Sequence, residues 1–365
     1  MKRLLILANS DSAIFKFRTE LIESLSEYFH IGMGIPFGNY MKEIKNDKYE
    51  FFDIAVNRHG MNPVEDLKLM KKYDGIIKKF KPDVVLLYTI KPNLYGSMAC
   101  AINKVPCLCN ITGLGTAVEN PGALQKLLIF MYRFAMRKVN TIFFQNSHGE
   151  EFFVEHKIGK KEQYYLLPGS GVNLERFKPI AYPEGDTVKY LFVARVIKEK
   201  GIEEYLYTAK KFREEGLSAE FHICGACEEA YEDILNKLND EGVIVYHGLV
   251  KDMRAMYEMT SCVTLPSYYP EGQSNVLLEG AASSRPLITT DWPGCREAVN
   301  NGETGYLVKI KDNEDLYQKA KLIYGMSRDE RENMGKLGRL KVEKEFDRNI
   351  VIDAYKERMK MSGIL

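Results

Sequence analysis

SYYPEGQSNVLLEGAASSRPLITTD, residues 267–291, decides how the rest of the chain is read. It overlaps the apolar run CVTLPS (262–267), whose length suits a buried strand of a parallel sheet. A turn through Pro270, Gly272, Gln273, Ser274 and Asn275 follows, and VLLEGAA opens a helix. Glu271 therefore stands at the carboxyl end of a strand, the edge at which open α/β sheets bind ligands. Glu279 lies one turn into the helix. Between them, the opening N–H groups and the positive helix end make a seat for phosphate. Two carboxylates flanking such a seat are a poor match for phosphate alone. They suit a nucleotide sugar, whose hydroxyls reach the carboxylates while its diphosphate meets the N–H groups.

Outward from this stretch, short apolar runs alternate with helical patterns in both directions. In the first half RLLILAN, EFFDIAV, DVVLLYT, VPCLCNIT and NTIFFQN read as strands, with FRTELIESLSEYF and PVEDLKLMKKYDGIIKKF as amphipathic helices between them. KYLFVAR, AEFHICG, VIVYHG, CVTLPS, PLITTD and GYLVKI repeat the alternation in the second half. Both are α/β patterns of the doubly wound kind. The Gly- and Pro-rich stretch 168–187 has no period and reads as the linker. We expect two Rossmann-like domains facing a cleft, 1–178 and 179–345, followed by a last helix over 346–365.

Composition agrees with this architecture. A chain of 365 residues exceeds the size at which single cores stop growing. Seven cysteines scattered through apolar runs suit a reducing cytoplasm rather than a disulfide framework. The amino-terminal apolar stretch is too short for a signal peptide, and no run is long enough to span a membrane. The net charge of +1 hides an asymmetry: residues 1–180 carry 25 Lys and Arg against 18 Asp and Glu, and residues 181–365 carry 26 against 32. A basic first half favours an anionic partner such as a phospholipid surface or a lipid diphosphate, although ordinary surface variation explains the same numbers.

Arg195 and Lys200, in FVARVIKEKG, follow the first strand of the second half and can clamp a diphosphate. With Glu271 and Glu279 they carry a family likeness. FVARVIKEKG, VIVYHG, PSYYPEGQSNVLLEGAA and TTDWPGCREAVNNGETGYLV together resemble the carboxyl-terminal domain of the family-four retaining glycosyltransferases of GT-B fold. The resemblance implies that Glu271 contacts the donor sugar, Glu279 the ribose, and Arg195 and Lys200 the diphosphate. It implies a final helix that crosses back onto the first domain. From the residues themselves, further donor contacts are expected from the turn and helix start at Gly272, Gln273, Ser274, Asn275 and Val276, and from His247, which ends a strand before Gly248. The implied donor is a UDP-sugar carrying a hexose or N-acetylhexosamine, used without metal or cofactor. Asp-x-Asp, the metal motif of the other common transferase fold, is absent.

The first domain departs from the family in its first βα turn, SDSAIFKFR (10–18), which lacks the usual glycine pair. The missing G-x-G-x-x-G also removes a dinucleotide oxidoreductase. The form with Phe-Lys-Phe-Arg resembles members that build bacterial capsule, O-antigen or lipid-linked oligosaccharides. We expect the acceptor, a glycan or polyprenyl-diphosphate-linked glycan, to meet Arg18, Lys91, Asn93, Gly113 and Gly115. Surface side chains and plain turn glycines explain the same residues. LQKLLIFMYRFAMRKV (124–139) is apolar and basic without an acid. As a helix it puts Leu127, Leu128, Met131, Phe134 and Ala135 near one stripe. That pattern suits burial against the sheet first, with a peripheral seat on the inner membrane face as the alternative.

Cys224 and Cys227 form a C-x-x-C without the helix start of a redox pair or two further zinc ligands. The histidines at 30, 59, 148, 156, 222 and 247 share no metal spacing. Nothing points to nucleic acid. Two rival functions stay open: a nucleotide-sugar epimerase of the same architecture, and a non-catalytic sugar-nucleotide-binding subunit.

Overall fold

A computed structural model describes residues 1–55, 62–115, 118, 121–228 and 230–365; His59, Thr116 and Ala117 thus lie outside the described residues. By its contacts the chain forms two units. One comprises Met1–Ser170, Pro270–Gln273 and Asn349–Leu365; the other comprises Gly171–Tyr269 and Ser274–Arg348.

The first unit begins β1 (Lys2–Leu7), α1 (Asp11–Ser26), β2 (Phe29–Ile35), the single turn α2 (Met41–Ile44), β3 (Tyr49–Asp53) and α3 (Pro63–Phe80). It continues with β4 (Val84–Tyr88), a π-helical turn at Pro92–Gly96, α4 (Ser97–Asn103), β5 (Cys107–Ile111) and α5 (Ala123–Ala135). β6 (Thr141–Phe144), α6 (Ser147–Glu155) and β7 (Tyr164–Leu166) follow. The described strands make one parallel sheet in the order β3-β2-β1-β4-β5-β6-β7.

β2 is a strand that apolar periodicity does not reveal, because FHIGMGI carries two glycines. Their reason is packing. A Cβ on Gly32 would stand 2.7 Å from the Phe80 ring, and one on Gly34 would stand 2.6 Å from Leu7. The glycines let α3 and the neighbouring strand close over β2. Phe29, placed in a helix by sequence, instead opens this strand.

The last helix, α13 (Arg348–Met361), is apolar on the side that meets the first sheet. Val351, Tyr355 and Met359 are buried with Leu4, Ile6, Leu86 and Phe143. Asn110 Nδ2 donates to Tyr355 Oη at 2.7 Å, which ties α13 to β5.

The second unit contains β8 (Val188–Val193), α7 (Ile202–Glu214), β9 (Ala219–Cys224), α8 (Glu232–Asp240), β10 (Val245–Tyr246), α9 (Arg254–Met259) and β11 (Cys262–Leu265). Then come α10 (Asn275–Ala282), β12 (Leu287–Thr290), β13 (Gly305–Val308), α11 (Asn313–Gly325) and α12 (Arg328–Glu345). Its parallel sheet runs β10-β9-β8-β11-β12-β13. Both sheets therefore have a strand-order reversal, at β1/β4 and at β8/β11, where ligand crevices of such sheets form.

Residues 171–178, which composition assigns to the first domain, pack with the second unit. Val172 N–H donates to Phe346 O at 2.8 Å, and Arg348 N–H returns a bond to Val172 O at 3.1 Å. The fully buried Arg285 fastens the following linker: its guanidinium donates to Tyr257 O, Ile180 O and Ala181 O. Burial pushes that guanidinium down to about 10.

Candidate active site

Arg195 and Lys200 leave the carboxyl end of β8, one side of the strand-order reversal in the second sheet. A short 3-10 turn, Lys198–Lys200, ends on Gly201 at φ +80°. A Cβ on Gly201 would lie 2.2 Å from Pro266 O, so only glycine lets this loop press against the end of β11. That approach brings both cations over one ring. Tyr269 has the Arg195 guanidinium carbon at 5.2 Å and Lys200 Nζ at 4.9 Å from its centroid. Lys200 is buried. Arg195 is half-exposed and its Nη1 bonds Glu228 Oε2 at 2.8 Å. Partial burial works against the Arg195 charge, but hydrogen bonds to Glu228 and Tyr269 outweigh it and hold the group above its ordinary value.

α10 begins beside these cations in the fold, just after β11. Its N-cap Ser274 makes no side-chain capping bond, so the opening N–H groups have neither an intrahelical partner nor this cap. Ser274 is itself excluded from that set: its N–H donates to Gly294 O at 2.8 Å, and Gly294 N–H donates to Glu297 at 2.9 Å. Of the amides expected to meet phosphate, this one is occupied within the fold. Val276 O accepts from Tyr257 Oη at 3.5 Å, and Glu279 accepts from the same hydroxyl at 3.1 Å. Burial, followed by the Glu279 charge, pushes Tyr257 well above its usual range, so the phenol stays a donor. It fixes the Glu279 carboxylate one turn into the helix.

Glu271 is held differently. The turn Pro270–Gln273 belongs to the first unit. Asn146 Nδ2 donates to Glu271 O at 3.1 Å and to Gly272 O at 2.6 Å, while Gly272 N–H donates to Thr112 O at 3.0 Å. Gly113 (φ +128°) permits this approach, since a Cβ there would lie 3.0 Å from Glu271 Cα. Gln273 is buried, and Gly169 leaves the room its side chain fills. Gly113 thus serves the seating of this turn, a role its sequence neighbourhood does not disclose.

The other residues expected near the acceptor are drawn into the first unit's own framework. Lys91 Nζ pairs with Asp66 at 2.7 Å, both side chains almost buried, and Tyr95 Oη donates to the second carboxylate oxygen at 2.9 Å. Asn93 is buried and its Nδ2 donates to Asn110 O at 2.8 Å, joining the ends of β4 and β5. Arg18 is buried in α1 with its guanidinium carbon 4.7 Å from the Tyr88 centroid. Lys91 and Arg18 thus have contacts inside the unit, while the buried Asn93 Oδ1 has no hydrogen-bond partner among the described residues. Gly115 has φ +76°, and a Cβ there would lie 3.0 Å from Ile90 Cδ1.

Sequence reading missed Tyr269, although it sits in the quoted turn; an aromatic ahead of Pro-Glu-Gly is its only signal. It also missed Thr89, a β-branched residue at φ +74° whose buried hydroxyl has no hydrogen-bond partner among the described residues. Strain of this kind collects at ligand sites, and Thr89 directly follows β4 at the strand-order reversal of the first sheet.

His247 lies next to His222, with Nε2 3.0 Å from His222 Nδ1; the other His222 nitrogen is 3.0 Å from Glu220. Burial lowers both histidines, favouring neutral rings. Burial also pushes the Cys224 thiol up to about 12, the opposite of an activated dithiol. Gly225 explains that turn: its Cβ would stand 1.6 Å from Ala194 O, so the segment is a close crossing of two loops. Among the described residues, no His, Cys, Asp or Glu group could hold a metal ion, and no helix is long and apolar enough to cross a membrane.

The comparisons with known proteins fit this geometry. Residues 187–325 match the family described as "Glycosyl transferases group 1", and residues 3–146 match "Glycosyl transferase 4-like". The chain is 25% identical, over 88% of its length and 89% of the relative's, to the N,N'-diacetylbacillosaminyl-diphospho-undecaprenol alpha-1,3-N-acetylgalactosaminyltransferase of Campylobacter jejuni. It is 26% identical, over 85% of each chain, to the capsular polysaccharide biosynthesis glycosyltransferase CapM of Staphylococcus aureus. In fold it is similar to Anabaena HepE, solved in complex with UDP and glucose, with a TM-score of 0.79, 13% identity, and 99% of this chain and 100% of the other covered. Both Rossmann-like units and both sequence matches lead to one statement: the chain belongs to the group 1, 4-like glycosyltransferases of GT-B fold.

Proposed function

We propose that the protein transfers a hexose or N-acetylhexosamine from a UDP-sugar to a lipid-linked glycan, with retention of the anomeric configuration, at the inner membrane face where such acceptors reside. The observation that carries this reading is the pairing of Arg195 and Lys200 on Tyr269, next to the uncapped start of α10. Two cations and a positive helix end form a diphosphate site that needs no metal. Glu279, held by Tyr257, faces the ribose, and Glu271 the sugar. The relatives support the acceptor class: one is named for a diphospho-undecaprenol substrate and another for capsule synthesis. HepE, solved with UDP, supports the nucleotide.

In the reaction the bond from C1 to the diphosphate oxygen breaks as the acceptor hydroxyl forms its bond to C1 on the same face. The acceptor proton passes to the departing diphosphate, which leaves as UDP. Arg195, Lys200 and the α10 amides stabilise the negative charge that gathers on the leaving group. Preorganised donors of this type contribute about 3–4 kcal/mol each. Replacing Lys200 with Ala should lower turnover by roughly 10²–10³-fold, with the melting temperature little changed. The assay is UDP release from UDP-sugars in the presence of bacterial membrane acceptor extract. Wild-type turnover in that variant would end the assignment, and sugar release from donor alone would favour an epimerase.

A further inference from the structure

The helix α5 has two apolar faces, and the fold uses one. Leu128, Ile129, Tyr132 and Ala135 are buried in the core of the first unit. On the opposite side of the axis Leu124, Leu127, Phe130 and Phe134 are 40%, 50%, 68% and 57% exposed. The single stripe expected from sequence therefore splits, with Leu128 and Ala135 turned inward and Leu127 and Phe134 turned out. Such a concentration of large apolar groups on one helix face marks an interaction surface.

Its rim has one sign of charge. Lys126, Arg133, Arg137 and Lys138 are all exposed, and no acidic residue occurs from Pro121 to Gly149. The Arg137 guanidinium carbon lies 5.8 Å from the Phe134 ring centroid, so cation and aromatic share the edge of the face. Gln163 Nε2 donates to Met136 O, which places the exposed Lys160–Lys161 segment against the same end of the helix. Glu162 lies within that segment and Glu150, Glu151 and Glu155 on the neighbouring α6, off the α5 face. A second copy of the chain is a poor occupant, because joining two such faces would bring like charges together. An anionic lipid surface satisfies both features, since it buries the apolar groups and neutralises the cations.

We propose that the outward face of α5 is a membrane-docking surface, with Leu124, Leu127, Phe130 and Phe134 entering the interface of a bilayer rich in anionic phospholipid and Lys126, Arg137 and Lys138 meeting its headgroups. The inference stands on α5 alone and does not depend on which sugar or acceptor the enzyme uses.

The test is co-sedimentation of the full chain with vesicles of phosphatidylcholine, alone or mixed with phosphatidylglycerol. The wild type should pellet with the anionic vesicles and less so at high salt. Combining Leu127→Ser, Phe130→Ser and Phe134→Ser should weaken that partitioning by roughly tenfold or more. Melting temperature and UDP binding should stay unchanged, because these side chains support no core. Lys126→Gln, Arg137→Gln and Lys138→Gln should each cost about fivefold on anionic vesicles; Arg133 is spared because its Nε holds His156 O. Wild-type protein that ignores anionic vesicles would overturn the proposal. So would a triple serine variant that pellets undiminished, or a wild-type dimer dispersed by that variant without lipid binding. A variant that loses vesicles yet keeps turnover on a short-chain soluble acceptor separates this surface from the transferase site.

Discussion

The two units treat their strand-end cations in opposite ways. In the second, Lys200 and Arg195 stand over Tyr269 at the reversal between β8 and β11, beside a helix that opens without a side-chain cap. In the first, Lys91, which follows β4, is taken up by Asp66 within the unit. Lys91 is thus committed to an acid of its own framework, whereas Arg195 and Lys200 share the Tyr269 ring, with Arg195 also pairing with Glu228.

Substitutions that treat the two lysines alike should separate them. Lys200→Ala, as above, carries the largest expected effect and should act on turnover. Lys91→Met should instead act on stability. It leaves the nearly buried Asp66 carboxylate with only Tyr95, and breaking a pair of this sort costs about 3 kcal/mol. Denaturant titration would show it, and UDP affinity should hold. Full stability with lost UDP binding in Lys91→Met would erase the distinction between the units.

Gly201→Ala sharpens the same comparison at lower amplitude. The residue would sit at φ +80° with its Cβ against Pro266 O. Strain of about 1–3 kcal/mol should either destabilise the second unit or draw Lys200 away from Tyr269. Both outcomes are read by melting temperature and KM for the donor, and neither should change in Gly325→Ala, which has no left-handed φ and whose Cβ would meet nothing within 4 Å.

The smallest effect is in pH. His222 in the fold lies below its ordinary value, chiefly through burial, so the unfolded chain binds the extra proton first. Stability should be fully present above about pH 6.5 and fall as the pH drops below it. In His222→Asn the slope in that window should flatten; an unchanged slope would show that His222 is not its source.

Much of the fold is legible in the sequence because parallel strands buried on both faces need continuous apolar runs. β2 escapes for a physical reason: Gly32 and Gly34 are small to admit Phe80 and Leu7, partners remote in sequence. In the second unit Arg195, Lys200 and the α10 start lie in local strand–turn–helix patterns, so their placement can be read from spacing. The first unit hides its logic in distant pairs. Asp66 takes Lys91, Asn110 takes Asn93, and the 270–272 turn rests on Thr112, Gly113 and Asn146. No periodicity encodes such partners. Thr89 is equally silent, since a left-handed backbone at a β-branched residue leaves no mark in composition.

A crystal structure with UDP bound tests the central claim most directly. The diphosphate should lie within hydrogen-bond reach of Lys200 Nζ and the Arg195 guanidinium, in front of the α10 amino terminus, with the ribose at Glu279. A diphosphate lodged on Lys91 or Arg18, away from residues 195–200 and 274–279, would contradict it.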